Sequence, residues 1–301
     1  MNTSRTLIVV AGPTAVGKTD VTLDIARQLD TEILSADSRQ IFKELKIGAA
    51  TPSDDQLRQV PHHFVGTHSI FDYYTAGMFE LEALERLKEI FSRKNQAVMT
   101  GGSGLYINAV CHGIDALPKV DPQVRQNLID QYEAEGIEGI RQRLKVLDPT
   151  SYQQVDLRNP KRILKALEIS LTTGKPYSAF LTRQRKDRPF HMLKIGLNRD
   201  RQELYQRINQ RVDQMLEEGL LEEARGLHPY QHLNALNTVG YKELFRFFDN
   251  EISYEEAVRL IKRNTRRYAK RQLTWFSRDH EIEWFHPDQQ QKIQRKIQRL
   301  A

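Results

Sequence analysis

Eight residues constrain this chain more than any others: GPTAVGKT at positions 12–19. The spacing G-x-x-x-x-G-K-[ST] places glycines where a backbone must curl tightly, so that its N–H groups point inward at an anion. An apolar run at residues 6–10 precedes it. Residues 19–29 follow with Val21, Leu23, Ile25, Ala26 and Leu29 at helical spacing. A strand, a turn and a helix in that order add the positive end of the helix to the phosphate cradle. Gly12, Pro13, Thr14, Ala15, Val16, Gly17, Lys18 and Thr19 are therefore expected to grip phosphate, with Lys18 on its oxygens and Thr19 on a Mg²⁺ that bridges two phosphates. The motif leaves open which molecule carries them.

Residues 31–36 read as a second strand and 97–100 as a third, with an amphipathic helix over 79–91 between them. Strands alternating with helices predict an α/β fold with a P-loop NTPase-like parallel sheet core. After Gly113 the pattern changes. Pro118 and Pro122 mark a boundary, and residues 123–186 are highly charged and helical in pattern. Residues 190–197 have strand character. The expected organisation is a first part of the core at 1–117, a helical insertion domain at 118–189, and a second part of the core at 190–301 with basic C-terminal helices. The Gln- and Lys-rich tail from Gln289 reads as a frayed terminal helix.

Composition narrows the setting. Among 301 residues, 39% are hydrophobic and 28% charged, which predicts a folded soluble protein. No apolar run approaches the ~18 residues of a membrane helix, and residues 1–10 lead into a strand without a secretory signal. The single cysteine, Cys111, excludes an intramolecular disulfide or a Cys-rich zinc module and reads as a small buried side chain. A cytoplasmic location is expected. The formal net charge of +6 is compatible with a polyanionic partner.

An absence sharpens the chemistry. P-loop hydrolases place an Asp at the end of an apolar strand to help hold the metal. Here the strand at 97–100 runs into Gly101-Gly102-Ser103-Gly104, with no acid. Group transfer is favoured over NTP hydrolysis. Asp37, in SADSRQ after the second strand, falls where ligands gather in such sheets. It reads either as a general base or as a turn residue.

Several further segments carry a family resemblance. GPTAVGKT at 12, SADSRQIFKELKIGAATP at 35, PHHFVG at 61, GGSGLY at 101, RILKALEI at 162, GYKE at 240 and TRRYAKRQLTWF at 265 resemble the tRNA dimethylallyltransferases, over about residues 7–277. The resemblance implies transfer of a dimethylallyl group from dimethylallyl diphosphate to N6 of the adenosine beside the anticodon, in the anticodon stem-loop of tRNA. It implies Asp37 as the base and Thr19 with Mg²⁺. Arg211 would sit on the leaving diphosphate, with His62 nearby. It implies tRNA contacts by Asp37, Ser38, Arg39, Gln40, Ser103 and Arg125. Two further RNA-facing segments are Lys161, Arg162, Ile163, Leu164 and Lys165, then Asn237, Thr238, Val239, Gly240, Tyr241 and Lys242. The chain departs from the family at Ser103 (commonly Thr), at DLRNP 156–160 (commonly HPND-like) and at Lys165 (commonly Arg), and lacks the zinc finger of some relatives.

Charge placement supports an RNA partner. Ser253-x-x-Glu256 is a capping-box pattern that should start a helix. On it Arg259, Arg263, Arg266 and Lys270 fall within roughly 60° of one another, with no acid between Glu256 and Asp279. Ala257, Ile261, Tyr268 and Trp275 fall opposite, and Tyr268, Trp275 and Phe276 read as core. A second basic set is Arg141, Arg143, Lys145, Arg158, Lys161, Arg162, Lys165, Arg183, Arg185, Lys186 and Arg188. Two basic lobes beside a cleft would suit a stem and loop, bound with steep salt dependence. Glu168 reads as structural. A monomer is expected. Two alternatives share the phosphate loop: a P-loop small-molecule kinase and a prenyltransferase acting on free adenine nucleotides. A GTPase-like RNA-binding module would need a guanine-selecting N-K-x-D, which the sequence lacks.

Overall fold

A computed structural model describes residues 5–182 and 184–298. The chain divides into two compact units, one made of residues up to His112 and from Asp187 onward, the other of Gly113–Lys186.

The first unit begins β1 (Thr6–Ala11), α1 (Lys18–Gln28), β2 (Ile33–Ser35), α2 (Asp54–Gln59), β3 (His62–His63), α3 (Ala76–Ile90), β4 (Gln96–Gly101) and α4 (Gly104–His112). The second unit holds α5 (Pro122–Leu147), α6 (Pro149–Gln154) and α7 (Pro160–Thr173). The chain then returns to the first unit through β5 (His191–Leu197), α8 (Arg201–Glu217), α9 (Leu220–Leu227), α10 (Tyr241–Phe248), α11 (Tyr254–Phe276), β6 (Glu283–Phe285) and α12 (Gln290–Gln298). The strands form one parallel sheet in the order β3-β2-β4-β1-β5-β6. Sequence reading missed the two-residue β3 and the short edge strand β6, which are too brief to show a period.

β1 is buried along its whole length, as a central parallel strand covered on both faces must be. Ile8, Val10, Val98 and Ile195 pack with Val21, Ile25, Leu204 and Ile293 in one core cluster. Leu7, Val9 and Met99, at the alternate positions, are also buried. β4 lies between β1 and β2, so the turns after all three strands open at one edge of the sheet. Cys111 is buried, and burial pushes its thiol up to about 12, as expected of an inert packing residue.

The second unit has its own small core of Leu128, Ile140, Leu144, Ile163, Ala166 and Leu167. α5 is interrupted at Gly136, whose φ of 69° is left-handed. Asp148, 1% exposed, caps α6 through the Ser151 N–H at 2.9 Å and also accepts the N–H and hydroxyl of Ser178 at 2.7 and 2.8 Å. Burial alone would raise its carboxyl, but these donors outweigh it and hold the group below its ordinary value.

Candidate active site

The phosphate loop follows β1 at the centre of the sheet edge. Ala15 (φ 63°) and Gly17 (φ 102°) are left-handed and alternate with their neighbours, the geometry that turns successive N–H groups inward. α1 begins at Lys18 with no side-chain cap, leaving its first N–H groups for a ligand. The loop carbonyls are taken by cations. Lys18 Nζ donates to Gly12 O at 3.0 Å and Pro13 O at 2.8 Å, Arg207 Nε to Ala15 O at 2.9 Å, and Arg199 Nε to Val16 O at 2.9 Å. Burial lowers the Lys18 ammonium to about 8, with Arg211 pushing the same way and Asp37 opposing.

A cavity of about 860 Å³ opens in front of this loop. Its wall carries Thr14, Lys18, Thr19, Asp37, Gln40, His62 and Arg211 together. Seven lysines and arginines line it against three carboxylates, those of Asp20, Asp37 and Glu243. Arg211 is the most deeply placed of the α8 cations, and desolvation lowers its guanidinium despite the attraction of Asp37. It makes no ion pair with another described residue.

Asp37 follows β2. Its Oδ1 accepts the Arg39 N–H at 2.9 Å and the Gln40 N–H at 3.4 Å, while no described donor bonds Oδ2. The turn residue and the base proposed from sequence are thus compatible, since one oxygen shapes the loop and the other is available to the cavity. Ser103 Oγ accepts the Ser38 N–H at 2.9 Å. Gly101 is required beside it, because a Cβ there would lie 2.2 Å from Ala36 O. Gln40 bonds Ser35 at 2.9 Å and Ala50 O at 2.8 Å, so it braces its own loop. His62 Nδ1–H donates to Val60 O at 2.7 Å, and burial lowers its imidazole.

The other expected site residues divide between the cavity and the protein interior or surface. Asn237, Thr238, Val239, Gly240 and Lys242 line the cavity. Tyr241 does not: it is fully buried, its ring packed on Gly48 and its hydroxyl bonded to Glu223 at 2.6 Å. Ile163 is likewise buried in the core of the second unit. Both side chains are corrected from RNA contacts to packing residues. Lys161 and Arg162 are exposed on α7, and Leu164 is partly covered. Arg125 and Lys165 face the buried Glu168 at 3.4 and 3.9 Å, which gives that carboxylate its structural role.

The basic stripe on α11 also needs revision. Ser253 Oγ accepts the Glu256 N–H at 3.2 Å, but the Glu256 carboxylate grips Arg259 at 2.6 Å instead of closing a capping box. Arg266 bonds Asn209 at 2.6 Å. Lys270 and Arg271 remain exposed, and Tyr268 and Arg267 line the cavity. Phe276 is core, whereas Trp275 is 37% exposed and covers Gly104. Arg188 is no surface cation. It is buried, pairs with Glu80 at 2.8 Å and bonds the carbonyls of Ala109 and Val110. Arg183 lies outside the described residues. Sequence reading missed Arg207, one turn before Arg211 on α8; the i, i+4 spacing was the available signal. It also gave no role to Gln272, although the residue lies within the TRRYAKRQLTWF segment at 265–276.

The IPP transferase family model matches residues 40–279. A tRNA dimethylallyltransferase of Bacteroides fragilis is 53% identical over 97% of this chain and 97% of its own. One from Porphyromonas gingivalis is 56% identical over 94% of this chain and 95% of its own. The crystal structure of the full-length tRNA isopentenylpyrophosphate transferase from Bacillus halodurans superposes with a TM-score of 0.72 at 33% identity, covering 98% of this chain and 96% of that one. A eukaryotic dimethylallyltransferase captured acting on tRNA superposes with a TM-score of 0.72 at 26% identity, covering 91% of this chain and 70% of that one.

Proposed function

The chain belongs to the tRNA dimethylallyltransferase (IPP transferase) family, and from that premise we propose how its own residues prenylate tRNA. The substrate pair is dimethylallyl diphosphate and the N6 amine of the adenosine adjacent to the anticodon. The observation that carries this reading is that a cationic phosphate loop and the carboxylate of Asp37 line the same cavity.

Diphosphate is a poor leaving group until its charge is neutralised. The inward N–H groups of residues 15–19, the Lys18 ammonium and the Arg211 and Arg207 guanidiniums supply that neutralisation. On binding, Lys18 exchanges the carbonyls of Gly12 and Pro13 for phosphate oxygens. The N6 lone pair forms the new bond to C1 of the dimethylallyl group. The C1–O bond breaks, its electron pair leaves with diphosphate, and the N6 proton passes to Asp37 Oδ2.

The donor set suits a Mg²⁺. Thr19 offers a hard hydroxyl oxygen beside the phosphates, and Mg²⁺ asks few ligands of a protein. Thr19 would hold it, and it would screen charge on the departing diphosphate.

The exposed cations Lys161 and Arg162 of the second unit, and Lys270 and Arg271 of α11, support binding of the tRNA backbone. Asn237, Thr238 and Lys242 at the cavity wall suit contact with nucleotides around the target. No described helix is long and apolar enough to cross a membrane. We take the enzyme to act as a cytoplasmic monomer. The test is transfer of labelled dimethylallyl from its diphosphate into unmodified tRNA with Mg²⁺, beside AMP as acceptor and ATP as donor. Label in tRNA alone supports the reading. Label in AMP, or phosphate moved from ATP, contradicts it.

A further inference from the structure

Gln272 stands between the two halves of the site. It projects from α11, is 5% exposed, and makes two hydrogen bonds of 2.9 Å with its one amide. Its Oε1 accepts the Thr14 N–H of the phosphate loop. Its Nε2 donates to Gly102 O in the turn after β4. The fit is close, since a Cβ on Gly102 would lie 2.1 Å from Nε2. The next residue in that turn is Ser103, whose hydroxyl holds the Ser38 N–H beside Asp37. One side chain therefore joins the loop for the diphosphate to the turn that seats the base.

The chemistry of this position is restrictive. A backbone N–H can only donate and a carbonyl can only accept, so the orientation of the amide is fixed by its partners. A carboxylate could take the first bond but would repel Gly102 O. A cation could make the second but not the first. A thioether of equal length makes neither. The amide also turns the Thr14 N–H away from the cavity, leaving later N–H groups of the loop to the anion.

We propose that Gln272 is a positioning residue that sets the spacing between the phosphate loop and Asp37, and so aligns C1 of the prenyl group with N6. This rests on the reaction proposed above. Misplacement of reactants by about 1 Å can cost on the order of 100-fold in rate.

The experiment compares wild type, Gln272→Met and Gly102→Ala in steady-state transfer to tRNA, with tRNA binding and thermal melting measured on the same samples. The expected result for Gln272→Met is a kcat lower by about 30- to 100-fold, with tRNA affinity changed less than about twofold. Gly102→Ala, which displaces the amide while keeping it, should lose kcat in the same way. If Gln272→Met melts early, Gly102→Ala decides: a kcat loss with unchanged melting supports the inference, and a normal kcat overturns it. A Gln272→Met enzyme with kcat within about twofold of wild type also overturns it. A wild type that transfers no prenyl group removes the underlying reaction, and the inference with it, an outcome separate from a variant-only failure.

Discussion

The hydroxyl of Ser103 accepts the backbone N–H of Ser38 at 2.9 Å, and the two hydroxyls lie 3.2 Å apart. The turn after β4 thereby holds the loop after β2 in addition to that loop's own Asx turn at Asp37. Removing the hydroxyl in Ser103→Ala loses one bond to a backbone donor, a cost of about 1 kcal/mol. Steady-state transfer should fall by roughly fivefold to tenfold on that basis, while Ser103→Thr should remain close to wild type. An unaffected Ser103→Ala would show that Asp37 is held without it.

Lys18 gives a pH signature. Burial holds its ammonium at about 8, so in the free enzyme the charge is fully present well below that pH and is lost as pH rises through it. Since kcat/KM reports the free enzyme, its dependence on dimethylallyl diphosphate should show a basic limb near pH 8. Lys18→Ala should be slow and lack that limb. The same limb in Lys18→Ala would assign it to another group.

The α11 cations differ in how free they are. Glu256 already neutralises Arg259, and Asn209 engages Arg266, while Lys270 and Arg271 are exposed. Plotting log affinity for tRNA against log salt should therefore give a slope shallower by about 1 for Lys270→Ala and for Arg271→Ala. Arg259→Ala should leave the slope unchanged. Equal effects from all three would mean that Glu256 releases Arg259 on binding.

Asp148 ties α6 to the segment at Ser178. Its carboxyl is held below the ordinary value, so the stability it contributes is present above the unfolded-state pKa and is lost as pH falls through the lower folded value. Asp148→Ala leaves buried donors unmet and should destabilise the second unit by about 3 kcal/mol near neutral pH. The difference from wild type should shrink on acidification below about pH 4. Denaturant titration across pH measures both, and a constant difference would contradict the assignment.

Much of the core was legible in the sequence because its signals are local. The glycine spacing at 12–19 announces the loop, and β1, β4 and β5 appear as apolar runs. The position of Asp37 at the cavity was legible from its place after a strand. What escaped depends on contacts far apart in the chain. Gln272 meets Thr14 across 258 positions and Arg199 meets Val16 across 183, and no periodicity records such pairs. Trp275 and Arg188 misled for the opposite reason. Residue type suggested core for the first and surface for the second, while tertiary packing exposes one and buries the other.

The role of Asp37 is tested most directly by single-turnover transfer with Asp37→Asn, with enzyme in excess over prebound tRNA. The amide is nearly isosteric and keeps an oxygen for the Arg39 and Gln40 N–H groups, but cannot take the N6 proton. The rate is expected to fall by about 100- to 10,000-fold, the usual range for a general base, with tRNA and diphosphate binding within about twofold of wild type. A rate near wild type with normal binding would contradict it and remove Asp37 from the chemistry.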